Sequence, residues 1–140
     1  MSQNLQNHRR FVPLFHFVTL GLVTLNLIRA LWVLLPVTKA SLYDTGVALA
    51  LLLMSWYLRA FPLTVQDRVI RLEERLRLQA LAPDLAPGSG KITPEQWTAL
   101  RFAGDAEFPG LVRDVLDGKL VKPADIKRAV KDWRPDELRV

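Results

Sequence analysis

The chain has no cysteine and only two histidines, His8 and His16, both near its start. Without cysteine there is no disulfide, no thiolate metal site and no cysteine nucleophile. Phosphate-binding glycine loops, HExxH, CxxC and EF-hand patterns are all missing as well. The acidic residues Glu73-Glu74, Asp114-Asp117 and Asp136-Glu137 stand among basic neighbours at helix-surface spacing, the ordinary solvated pattern. No catalytic constellation follows, so an enzyme is not expected, and no cofactor is assigned. A one-signed charge excess is also lacking where it would matter. Beyond residue 61 there are fourteen basic and thirteen acidic side chains, which excludes the single-signed patch expected of a nucleic-acid binder.

What the chain does have is two long apolar runs close together. Residues 11–35 and 42–61 carry few charges, and between them residues 11–61 hold only Arg29, Lys39, Asp44 and Arg59. A membrane span needs roughly 20 apolar residues, and both runs approach or exceed that length. The first is too long for the apolar core of a signal peptide and is followed at once by a second. A soluble hairpin would need more covering surface than the charged remainder can supply. The expected architecture is all-α: a transmembrane helical hairpin at residues 11–61, an amphipathic cytoplasmic helix at 62–82 and a Pro/Gly hinge at 83–92. A cap of short cytoplasmic helices at 93–140 completes it, and residues 1–10 form a cytoplasmic N-terminal segment.

Within the first span, Asn26 and Arg29 share a face at i,i+3 and form its expected partner-contact patch. Arg29 has two open readings. It either snorkels to the interface beside Trp32, or it forms a salt bridge with Asp44 or with a partner subunit. His16 is an alternative ligand for a haem or pigment, although a lone histidine near an interface is more often simply hydrogen-bonded. Gly21 has no small residue four positions away, so no GxxxG-type face is present. Pro36 is expected to end the first helix, and Ser41 or Asp44 to cap the second. Trp32, Tyr43, Trp56 and Tyr57 are the expected lipid-interface aromatics. Topology follows from charge. Arg9 and Arg10 precede the hairpin, Arg59, Arg68, Arg71, Arg75 and Arg77 follow it, and the connecting turn holds only Lys39. Both termini are therefore expected in the cytoplasm of a multi-pass inner-membrane protein.

In the region after the hairpin, Val65, Val69, Leu72 and Leu76 form one apolar stripe. Asp67–Arg71 and Glu73–Arg77 are i,i+4 pairs of opposite sign. Arg68, Arg71, Arg75 and Arg77 are expected to contact either a partner protein or anionic lipid headgroups. Thr93-Pro94-Glu95-Gln96 reads as a capping box with proline at the first helical position. Asp105 is expected to cap the next helix, Gly118 to end it and Pro123 to open the last. That last helix places Ile126, Val130 and Trp133 inward. Lys127, Arg128, Lys131 and Arg134 lie on its outer side, the first three as candidate partner contacts. Trp97 and Trp133 are expected in the core.

The stretches NHRRFVPLFHF, RAFPLTVQDRVIRLEERLRL, QWTALRFAGDAEFPGLVRDVLDGKL and IKRAVKDWRPDELR carry a resemblance. The chain resembles small bacterial inner-membrane proteins of unknown function with two membrane helices. The resemblance implies a common architecture and brings no activity, cofactor or catalytic residue with it. The expected function is a non-catalytic accessory or scaffolding subunit of a larger inner-membrane complex, of the respiratory or photosynthetic kind, with other integral membrane subunits as partners. The alternatives are a stress-related protein that binds anionic lipid and a cofactor-binding subunit using His16.

Overall fold

Apolar periodicity, proline placement and capping chemistry put every regular element of this chain into a helix, and a computed structural model shows where each begins and ends. It describes Leu5 and residues 12–136. The expected role of Arg9 and Arg10, and the rest of residues 1–10 apart from Leu5, lie outside the described residues, as does Glu137. A π-helical turn, Leu14–Thr19, leads into α1, Leu20–Trp32. Then come α2, Lys39–Leu81, a 3₁₀ segment at Pro83–Lys91, α3 at Pro94–Leu100, α4 at Phe108–Leu116 and α5 at Pro123–Ala129. The fold is all-α. The one β-type contact among the described residues is an isolated antiparallel bridge between Ala103 and Trp133.

The chain divides into two units, Phe11–Pro62 and a second built from Leu63–Val140 with Met1–Arg10. In the first, α1 ends at Trp32, before the proline expected to stop it, and the Leu35–Pro36 peptide bond is cis. The cap of α2 is Thr38 rather than Ser41 or Asp44. Thr38 Oγ1 accepts from the Ser41 N–H at 3.0 Å, and Ser41 Oγ accepts from the Thr38 N–H at 2.9 Å. This is the reciprocal geometry of a capping box, with serine doing the work of the usual glutamate or glutamine. Thr45 Oγ1 donates to Ser41 O at 2.8 Å and reaches Ala30 O at 3.5 Å. Ala30 and Ala48 are completely buried there. Small side chains at this point let the two backbones approach closely.

The second helix does not break where the span was expected to end. It is continuous from Lys39 to Leu81 with Pro62 inside it, although the division between units falls at that proline. Proline removes one backbone donor from a helix interior and crowds the preceding turn. The helices expected at residues 42–61 and 62–82 thus run together as one helical element, and the division between units lies within a residue of the place where they were expected to part.

In the second unit, the inward face of α2 also differs from expectation. Ile70, Glu74 and Leu78 are buried, whereas Val65, Val69, Leu72 and Leu76 are 47–60% exposed. Leu78 and Ala82 join Trp97, Leu100, Phe108, Leu111, Val112, Val115, Ile126 and Val130 in one core. The segment expected as a hinge is an ordered 3₁₀ helix. Leu85 packs on the core, and the space a side chain would need at Gly88 is bounded by Leu116.

Helix α3 starts on the expected box: Thr93 Oγ1 accepts from the Gln96 N–H at 3.3 Å, and Gln96 Oε1 accepts from the Thr93 N–H at 2.9 Å. Gly118, at φ +77°, ends α4. The Gly118 N–H donates to Val115 O at 3.1 Å and the Lys119 N–H to Asp114 O at 2.9 Å, the paired bonds of a Schellman ending. Asp105 does not cap α4, since the residue before that helix is Glu107 and makes no side-chain cap. Helix α5 stops at Ala129, so Trp133 does not lie on its face. The chain is already extended at Val130, and from there other partners take up the backbone. The Lys131 and Asp132 N–H groups donate to the Glu107 carboxylate, Gly104 N–H to Asp132 O, and Arg134 N–H to Phe102 O. Trp133 is half-buried against Phe102, with ring centroids 5.0 Å apart.

Candidate functional site

Turning α2 so that Ile70, Glu74 and Leu78 face inward places charge against the second unit's core. The resulting half-open cleft has a volume of about 640 Å³ and is lined by residues including Glu74, Arg77, Arg101, Asp105, Arg134 and Asp136. Arg77 is its centre. Its guanidinium donates to Glu74 Oε2 at 3.0 Å, to Asp105 Oδ1 at 2.8 Å and to Ala103 O at 2.6 Å. It also lies 4.2 Å from the centroid of Phe108, within cation–π range. Arg134 approaches the other oxygen of Glu74 at 3.7 Å, and Arg101 pairs with Asp136 at 2.9 Å. Burial pushes the Glu74 carboxyl above its ordinary value, against the lowering pull of Arg77 and Arg134. Each charge in this network faces an opposite one, an arrangement suited to latching α2 onto the short helices.

This reassigns Arg77. Expected as an outward contact paired with Glu73, it is an internal anchor paired with Glu74 and Asp105. The Asp67–Arg71 pair is likewise not formed among the described residues. Arg68 is exposed, while Arg71 and Arg75 are half-buried along the flank of the Val65, Val69 and Leu72 stripe, and the three arginines line a shallow groove with it. Arg128 is exposed but pairs with Asp125 at 2.9 Å. Lys127 folds over Phe102 at 5.6 Å, and Lys131 is exposed. The three do not converge with the arginines of α2 into one site.

In the first unit, Asn26 is half-buried and Arg29 is exposed, and among the described residues no Arg29–Asp44 bridge is formed. Trp32, Tyr43, Trp56 and Tyr57 are all exposed, and Tyr57 stacks on Phe61 at 5.0 Å. His16 Nδ1 is 2.8 Å from Val12 O and 3.3 Å from Val12 N, a local contact made within its own turn. No cluster of three or more histidine, aspartate or glutamate side chains suited to a metal ion occurs among the described residues.

Sequence reasoning missed Glu74, Arg101, Arg134 and Glu107 as tertiary contacts. One signal was available: Ile70, Glu74 and Leu78 recur at i, i+4 and i+8, a second stripe interrupted by a carboxylate. A more apolar stripe on the opposite side masked it.

A family model described as a family of unknown function, DUF6526, matches residues 1–140. No curated protein and no solved structure matches the chain. The chain belongs to the DUF6526 family.

Proposed function

We propose that this DUF6526 protein is a non-catalytic accessory or scaffolding subunit of an inner-membrane complex. It is anchored by its two apolar helices, with both termini on the cytoplasmic side. One observation carries the reading. Across Leu14–Trp32 only Ala30 is buried, while Leu22 and Leu25 are each 63% exposed and Trp32 85%. A soluble protein buries its long apolar helices inside its own core, whereas lipid or neighbouring subunits would cover these faces. The pairing of Lys39 at one end of the second apolar run with the arginines beyond the other supports the orientation.

The partners of this reading are integral subunits of a respiratory or photosynthetic assembly. The test is mild detergent extraction of native membranes, sizing and identification of the co-purifying proteins. Recovery within a larger complex of other proteins is expected. Recovery with no other protein at all would overturn the scaffolding role.

A second reading, anionic-lipid binding, is favoured by the groove in which Arg68, Arg71 and Arg75 flank an apolar stripe. Arg77 is withdrawn from that set because of its internal partners. Vesicle flotation with and without acidic lipid tests it, and charge reversal at Arg68 and Arg71 should abolish an acidic-lipid preference.

A further inference from the structure

The exposed stripe of α2 has the spacing and flanks of a two-stranded seam, and we infer that it pairs with the same stripe of a second copy of this chain, in parallel. Val65, Val69, Leu72 and Leu76 are separated by four, three and four residues. That alternation is the a/d repeat of a coiled coil and makes a narrow stripe, whereas helices lying in a lipid interface present a broader apolar face. All four side chains are exposed, with Leu72 at 60%, although the opposite face of the same helix is committed to the core through Ile70, Glu74 and Leu78. The seam ends after Leu76, because the next two positions of the repeat are Gln79 and Pro83.

Charge selects the occupant. On one flank of the stripe stand Arg68 and Arg75, at the g positions of the repeat; on the other stand Gln66 and Glu73, at the e positions. In a parallel pair each g position faces the e position five residues later on the partner, so Arg68 of each copy meets Glu73 of the other, twice by symmetry. In an antiparallel pair g faces g, and arginine would meet arginine. Arg68 and Glu73 form no ion pair within their own chain among the described residues, so both are available. An acidic membrane surface would favour the basic flank but gains nothing from Glu73.

This inference does not depend on the scaffolding role. A homodimer purified without other proteins would support it while refuting that role. The absence of cysteine provides the test. Single cysteines are placed in the full chain at Val65, Val69, Leu72 or Leu76, with Asp67→Cys, exposed on another face, as the control. Membranes are then oxidised and dimers scored. All four seam positions should yield disulfide-linked homodimers well above the control. Arg68→Glu or Glu73→Arg in the Leu72→Cys background should each lower the dimer yield about threefold to fivefold, as expected for two facing pairs made repulsive, and the double reversal should restore it. Dimer at the control level, crosslinking confined to the middle positions, crosslinks only to another protein, or no restoration by the double reversal would each overturn the proposal. So would loss of acidic-vesicle binding in Arg68→Glu with no change in dimer yield.

Discussion

Arg77 shows how much one side chain can decide. It donates to two carboxylates and a carbonyl and covers Phe108, and its side chain is only 10% exposed. Arg77→Ala would leave Glu74 buried beside the more distant Arg134, and breaking a buried pair in this way typically costs about 3 kcal/mol or more. Arg77→Lys should recover little of the loss, because an ammonium cannot reproduce the planar fork that spans Glu74, Asp105 and Ala103. Chemical denaturation of the full chain checks both.

Glu74 supplies a pH signature. Burial raises its carboxyl above the ordinary 4.5, so the folded chain holds that proton more tightly than the unfolded one. The folded state therefore binds more protons in this window, and this contribution to stability falls as pH rises from the ordinary value through the raised one. Glu74→Gln removes it. The stability difference, wild type minus Glu74→Gln, should decline with pH across that window, and a rising difference would contradict the assignment.

At the scale of elements, the helix ends are chemically explicit. Thr93→Ala removes one half of the α3 box and should cost about 1 kcal/mol. Gln96→Ala should cost more, because Gln96 also donates from Nε2 to Val121 O at 2.9 Å and is buried. Denaturation midpoints of the two variants give the order directly. Gly118→Ala forces a side chain into φ +77° and should cost about 1 kcal/mol. Gly104 is crowded for a different reason: an added Cβ would meet the Asp132 carboxylate, which would have to move aside. That close approach exists because α5 gives way to an extended segment whose backbone bonds to Phe102 and Gly104.

For the whole molecule, the proposed membrane orientation has its own readout in a cysteine-free chain. Lys39→Cys lies between the apolar runs, at the first residue of α2, and Gly90→Cys in the 3₁₀ segment of the other unit. In intact cells a membrane-impermeant thiol reagent should label the first, and it should reach the second only after permeabilisation. Equal labelling of both in intact cells would reject the orientation.

By itself the sequence determined the helical class, the two apolar runs, the turn between them and the caps at Thr93 and Gly118. These rest on local chemistry: side-chain periodicity, a hydroxyl reaching a nearby N–H, a glycine at positive φ. It also marked Trp97, Ile126 and Val130 as inward. Only the tertiary structure decided which side of α2 is inside. Val65, Val69, Leu72 and Leu76 make the better apolar stripe, yet Ile70 and Leu78 take the core because the charged residues between them find partners there. Arg77 is only three residues on, but Asp105 and Ala103, which hold it, and Arg134, which approaches Glu74, are distant along the chain, and no local rule reports that Glu74 can be buried once they meet. The same long-range pairing ended α5 early, since the backbone of residues 131–134 bonds to Glu107 and Phe102 instead of continuing the helix. A periodic stripe states that a face will be covered. What covers it is decided by the groups that meet it in space.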